Sequence, residues 1–207
     1  VMLQREVPDY VNVATAQLAH EYGKPIFMDV GGSDAPLDED LLPYLSVIAP
    51  NESELRFISG VNTLDADGHV CRASVRRAVS ALKGTFATVG NPSIEVLVTL
   101  GSQGSLYCSS AWTEETADAE EVRMGYFALE TPDGKPRDTT GAGDCFRGSY
   151  VAARYGEGRR VEEALRWAAA AGSLAVEVEG AMPSMPTREK IAERVKGKVL
   201  GFEGDWA

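Results

Sequence analysis

Basic residues are scarce in this chain: Lys and Arg number 20 against 31 Asp and Glu, a formal net charge of −11. A phosphate backbone demands a basic face, so this balance excludes nucleic acid as the expected partner. Long apolar runs are missing too. Stretches such as Val96 to Leu100 fall far short of the roughly 20 residues a membrane-crossing helix needs, so no membrane partner is expected. The three cysteines, Cys71, Cys108 and Cys145, include no CxxC pair, which excludes a disulfide framework and a zinc site. They fit a reducing compartment, and a cytoplasmic location is the expectation. The two histidines, His20 and His69, lack metal-ligand spacing and read as surface helix residues. No signal-peptide pattern is visible. Val1 and Met2 read as the end of a strand, so the native N-terminus is expected to lie upstream.

What is present is enough for a core. Hydrophobic residues make up 44% of the 207, so wholesale disorder is excluded and one domain over 1–207 is expected, with a frayed tail after 197. Val1 to Glu6 reads as a strand. Val11, Ala14, Leu18 and Tyr22 recur at helical spacing up to Gly23. Pro25 to Asp29 and Ser46 to Ala49 are strands around a short helix at Asp38 to Tyr44. Helices follow from Asn51 to Ile58 and through Val70, Ser74, Ala78 and Leu82. Glu95 to Leu100 is a strand with a hairpin return at Gly104 to Ser109. Residues 110–121 are acidic and read as a loop or insertion, and Val122 to Glu130 is strand-like. Helices cover Gly141 to Gly156, Val161 to Val178 and Thr187 to Val195. The alternation of strand and helix predicts an α/β fold with a parallel sheet between helical layers. Ligands of such sheets sit at the carboxyl ends of the strands.

An acidic protein can manage phosphate only with backbone amides, metal ions and a few placed cations. Asp138-Thr139-Thr140-Gly141-Ala142-Gly143-Asp144 supplies such a site. Small residues at Gly141, Ala142 and Gly143 let the main chain approach a ligand, and successive amides opening a helix form an anion hole. Asp144 at the end of the turn suits a general base that takes the proton of an attacking hydroxyl. An ordinary capped glycine turn is the plain alternative, and seven specific residues ahead of an apolar helix outweigh it.

With Cys145, Phe146, Arg147 and Gly148 following, this segment resembles the C-terminal signature of the ribokinase (PfkB) family of carbohydrate kinases. The resemblance runs from Leu3 to about Val195. It implies a ribokinase-like three-layer α/β/α fold, here without the N-terminal strands and β lid, and ATP and a small sugar as ligands. Asn51-Glu52-Ser53-Glu54 is similar to the family's NxxE motif, which implies that Asn51 and Glu54 act on Mg2+ and phosphates, mainly through water. By itself the same pair is a capping arrangement. Thr99, Leu100, Gly101, Ser102, Gln103 and Gly104 resemble the nucleotide loop. The segment from Gly180 to Ser184 resembles the loop that holds an activating K+, with Asp138, Thr140, Ala175, Val178, Gly180 and Ser184 as implied ligands. Leu3-Gln4-Arg5-Glu6 resembles the strand end whose glutamate touches sugar hydroxyls, so Glu6 is a candidate substrate ligand.

Some positions depart from the family pattern: Arg5 in place of an apolar residue, Pro136-Arg137 before the aspartate, Asp29-Val30-Gly31-Gly32 after the second strand, Ala169, and Arg147 where Asn is common. These bear on adenine contacts and sugar preference, not on Asp144. The implied activity is phosphorylation of the 5-hydroxyl of D-ribose. Fructose, a nucleoside or another small alcohol is the second choice, and a non-catalytic nucleotide-binding fragment the third. A chain lacking the first strands is expected to be inactive by itself, and the full-length protein to allow a homodimer.

Overall fold

The computed structural model describes residues 1–33 and 35–200. The chain forms two compact units. The first holds Val1–Leu100 and Leu106–Glu121, and the second Gly101–Ser105 with the residues from Val122 onward.

Six strands run in the order β1 (Met2–Leu3), β2 (Phe27–Asp29), β3 (Val47–Ala49), β4 (Glu95–Thr99), β5 (Ser105–Cys108) and β6 (Glu121–Met124). The first four are mutually parallel, in a register that pairs Leu3 with Met28, Met28 with Ile48 and Ile48 with Val96. Their central residues are continuously apolar and buried, as strands covered on both faces must be. The Leu100–Gly104 connection is too short for a parallel crossover, so β5 returns beside β4. This shared register brings the carboxyl ends of β1 to β4 to one edge of the sheet.

Seven helices accompany the strands among the described residues: α1 (Asp9–Glu21), α2 (Glu52–Ser59), α3 (Arg72–Thr88), α4 (Ala117–Glu120), α5 (Ala142–Val151), α6 (Val161–Ala175) and α7 (Arg188–Arg194). α3 buries Val75, Ala78, Val79, Leu82 and Phe86, the spacing of one helical face. α5 ends in a single π turn over Ala152–Gly156. The helix expected at Asp38 to Tyr44 is reduced to a 3-10 turn at Leu42–Tyr44.

Three expectations need correction. The apolar stripe of α1 faces outward: Leu18 and Tyr22 are 56% and 71% exposed, while Asn12, Ala16 and Ala19 are buried. Small side chains line the inner face, and Asn12 Nδ2 donates to Gln4 O at 2.8 Å, which satisfies its buried amide. Residues 110–121 are a mostly exposed loop with one helical turn, as expected, but the loop is anchored in the core rather than wholly solvated. Trp112 and Ala117 are core residues, and Glu121 is held by Arg72 Nη2 (2.9 Å) and Arg76 Nη2 (2.7 Å). Finally, the chain just past 197 is tied down, since Phe127 bridges Val199 and Leu200 N–H donates to Tyr126 O at 2.7 Å. Residues 201–207 of the expected frayed tail lie outside the described residues.

Candidate active site

In the first unit the candidate residues gather at the carboxyl ends of the parallel strands. Asn51 follows β3 as the N-cap of α2. Its Oδ1 accepts from Glu54 N–H at 2.8 Å, and Glu54 Oε2 accepts from Asn51 N–H at 2.8 Å. This reciprocal box satisfies two orphan donors of the helix start. It occupies one oxygen of each side chain and fixes both residues in place. A Cβ built on Gly31 would lie 3.4 Å from Glu54 Oε1 and 3.4 Å from Asp29 Oδ1, so the two carboxylates approach one glycine from either side. Asp29 also accepts the Gly31 N–H at 3.1 Å. The sequence reading missed Asp29 as a site residue, although an acidic residue closing an otherwise apolar strand was the available signal.

Thr99 ends β4 and forms a parallel bridge with Asn51, its N–H donating to Pro50 O at 3.0 Å. The NxxE pair and the start of the nucleotide loop are thus neighbours. Leu100 is buried. Glu6 is exposed just past β1, and its N–H donates to the Gln4 side chain.

In the second unit, Gly101, Ser102 and Gln103 form a 3-10 turn with Gly101 and Ser102 exposed. Gly104 closes the expected nucleotide loop. Its missing side chain is used by the protein itself, because a Cβ there would lie 2.1 Å from Met124 O.

The Asp138–Asp144 turn leads into α5. Gly141 is the N-cap of α5 at φ 76°, ψ 0°, in the left-handed region that favours glycine. A side chain there would also press on Ala181 at 3.1 Å and Met185 at 3.2 Å. The first intrahelical bond runs from Cys145 N–H to Gly141 O at 2.9 Å. The amides of Gly143 and Asp144 therefore lie in the first turn ahead of it, where a helix carries its positive partial charge. Asp144 is exposed, as an acceptor of a substrate proton must be. Arg147 is buried at 5% exposure, with Nη1 3.0 Å from where a Gly143 Cβ would sit. A guanidinium thus lies against the same turn, and the sequence marked this residue only as a departure. Cys145 is buried, which pushes its thiol up to about 11, with Asp144 adding to the rise and Ser149 opposing it. It is an inert side chain at neutral pH.

Asp138 ties two loops together. Its Oδ1 accepts from Thr140 N–H at 2.9 Å and its Oδ2 from Gly180 N–H at 2.8 Å. Bonds from Thr140, then from Gly180, hold its carboxyl below the usual range. Arg137 N–H donates to Val176 O at 2.8 Å, Val178 N–H to Ala175 O at 3.3 Å and Ser184 N–H to Gly180 O at 3.2 Å. All six expected cation ligands therefore belong to one local network. The Ser184 hydroxyl turns inward onto Ala181 O at 2.7 Å. A cavity of about 430 Å³ in this unit is lined by Val178, Ser184, Glu177 and Arg194, among others, but not by Asp138 or Asp144. Met185 lines this cavity and also abuts Gly141. Among the described residues no group of three or more His, Cys, Asp or Glu could hold a metal by itself.

The family model of the pfkB family carbohydrate kinases matches residues 2–188. The chain belongs to this family. It is 35% identical over 196 residues to a ribokinase of Arabidopsis thaliana, covering 95% of this chain and 45% of the relative. It is 28% identical over 193 residues to a ribokinase of Bacillus subtilis, covering 93% and 54%. The structure of Arabidopsis thaliana ribokinase complexed with ribose and ATP superposes with a TM-score of 0.78 at 34% identity, over 96% of this chain and 56% of that one. The mostly parallel α/β fold expected from the sequence is the fold of these kinases. The pfkB chain described here spans about half the length of the relatives it matches. No helix among the described residues is long and apolar enough to cross a membrane.

Proposed function

We propose that this pfkB-family chain carries the phosphoryl-transfer machinery of an ATP-dependent ribokinase, with the 5-hydroxyl of D-ribose as acceptor. The observation that carries the reading is the exposed Asp144 in the first turn of α5, behind the left-handed turn at Gly141. An acidic side chain in a first turn also stabilises a helix, and the glycine turn ahead of Asp144 is what favours the catalytic use. The naming of relatives that are ribokinases, one of them complexed with ribose and ATP, supports the choice of sugar.

In this reading the sugar hydroxyl oxygen attacks the γ-phosphorus, an O–P bond forms, and the bond from the γ-phosphorus to the bridging oxygen breaks to release ADP. Asp144 takes the hydroxyl proton. The amides of Gly141 and Gly143 hold the transferring phosphoryl oxygens, that of Ala142 joins them only on leaving Thr139 O, to which it donates at 3.2 Å, and positive charge from Arg147 reinforces them. Thr99, Leu100, Gly101, Ser102, Gln103 and Gly104 line the nucleotide, and Glu6 binds sugar hydroxyls. Asn51 and Glu54 would hold Mg2+ mainly through water, and the second carboxylate at Asp29 fits a hard cation's demand for oxygen donors. Mg2+, when bound with ATP, neutralises charge on the phosphate oxygens. Asp138, Thr140, Ala175, Val178 and Gly180 would offer oxygens to K+, which adds fixed positive charge behind the turn. Ser184 would serve through its backbone, because its hydroxyl is engaged.

A substrate panel, run on a protein of the relatives' length that carries this chain, tests the choice of sugar. With ATP and Mg2+, kcat/KM for D-ribose is expected to exceed that for fructose and for a nucleoside by at least about tenfold, the discrimination available to a site built around particular hydroxyls. A higher value for fructose or a nucleoside transfers the assignment to that substrate.

A further inference from the structure

Arg5 is 5% exposed, at a strand end that leads directly to Glu6. A buried guanidinium is costly unless its donors are satisfied. Here Nη1 donates to Ser33 O at 3.2 Å and Nη2 to Pro36 O at 2.9 Å. The fork therefore clasps two carbonyls of the loop that follows β2. That loop begins with Gly31 and Gly32, and each touches a different part of the candidate site. Gly31 sits between Asp29 and Glu54. Gly32, at φ 96°, lies under Glu6: a Cβ there would be 2.8 Å from Glu6 Cγ and 3.3 Å from Arg5 C and Glu6 N.

We infer that Arg5 is a positioning residue for sugar specificity: by clasping Ser33 and Pro36 it seats the glycine pair so that Gly32 fixes the Glu6 carboxylate on the sugar side of the site. The inference rests on the ribokinase reading for the identity of the ligand, but not for the clasp itself. Glu6 is held from both flanks, by Gln4, which accepts its N–H, and by Gly32. Only the Gly32 contact depends on a loop that Arg5 ties down. The fork matters geometrically, because a single ammonium cannot span two diverging carbonyls in the way a planar guanidinium does.

Arg5→Met keeps an unbranched stem and removes both donating nitrogens. Arg5→Lys keeps one, and Gly32→Ala pushes on Glu6 directly. For Arg5→Met and Gly32→Ala the KM for ribose is expected to rise about tenfold, with kcat and the KM for ATP changing less than about twofold. Arg5→Lys should fall between these and the unaltered protein. Equal losses in kcat and in both KM values, tracking a fall in Tm, would show a merely structural role and overturn the inference. If Arg5→Met does not fold, Arg5→Lys and Gly32→Ala carry the same comparison. Amide exchange separates this inference from the ribokinase reading. Should a protein of the relatives' length that carries this chain turn over no sugar, the reading of function fails, and the clasp is judged by exchange at Gly31–Ser33. Faster exchange in Arg5→Lys supports the clasp, and unchanged exchange overturns it.

Discussion

In a protein of the relatives' length that carries this chain, replacing Asp144 with Asn should lower kcat for phosphoryl transfer by about 10²- to 10⁴-fold, the usual contribution of a positioned general base. Affinity for ATP should change by less than about threefold. The amide has the size of the carboxylate and fills the same place in the first turn of α5, so the backbone donors of Gly141–Gly143 keep their arrangement. What is lost is the capacity to accept a proton. An acidic side chain also favours a helix start by about 0.3–1 kcal/mol, so only a small fall in Tm should accompany the loss. Single-turnover kinetics with ATP and ribose, beside ATP titration calorimetry, separate the two effects. A variant that keeps kcat within tenfold would remove Asp144 from the base role.

The largest effect on stability is expected at Glu121. Its side chain is 2% exposed and meets Arg72 Nη2 at 2.9 Å, with Arg76 bidentate through Nη2 (2.7 Å) and Nε (3.0 Å). Removing one partner of a buried pair leaves uncompensated charge and costs about 3–5 kcal/mol. The two arginines are about one-fifth exposed and can also reach Asp118, which puts Glu121→Ala near the lower end, about 3 kcal/mol. Asp118 itself is 87% exposed, and Asp118→Asn should cost under about 1 kcal/mol. The pH dependence has a definite sign. Burial pushes the Glu121 carboxyl up, but hydrogen bonds from Arg76 and Arg72 outweigh it and hold the group below its ordinary value. Its contribution is therefore complete above the unfolded value of about 4.3, and disappears as pH falls through the lower folded value. Urea denaturation of the parent and Glu121→Ala should give a constant difference from neutral pH down to about 5, converging in stronger acid. A difference that widens in acid would contradict this.

Much of the sheet was legible because its strands are short apolar runs closed by turn residues, as at Phe27–Asp29 and Val47–Ala49. The start of α5 was legible because Gly141 must take a left-handed conformation that few other residues tolerate. The outward stripe of α1 was not, since periodicity finds a helical face without saying which side the fold covers. Asn12 is buried there because its amide finds Gln4 O, a partner eight residues away that no local pattern reveals. Acidic composition likewise hid Glu121, whose burial depends on two arginines of α3. In the candidate site, the family resemblance pointed to Asn51 and Glu54, which spacing alone would leave as a helix cap, and Asp29 joins them only through the parallel register of β2 and β3. Arg5 and Arg147 stood out as unusual residues. Their contacts with the Gly32 loop and the Gly143 turn come from tertiary structure.

The central claim concerns main-chain donors at one helix start, and titration of the ¹⁵N-labelled protein with Mg-ATP observes them directly. The amide resonances of Gly141, Ala142, Gly143 and Asp144 are expected to shift saturably with ATP concentration, together with those of Thr99 and Gly101. Saturable ATP binding that leaves the 141–144 amides unmoved would contradict the account.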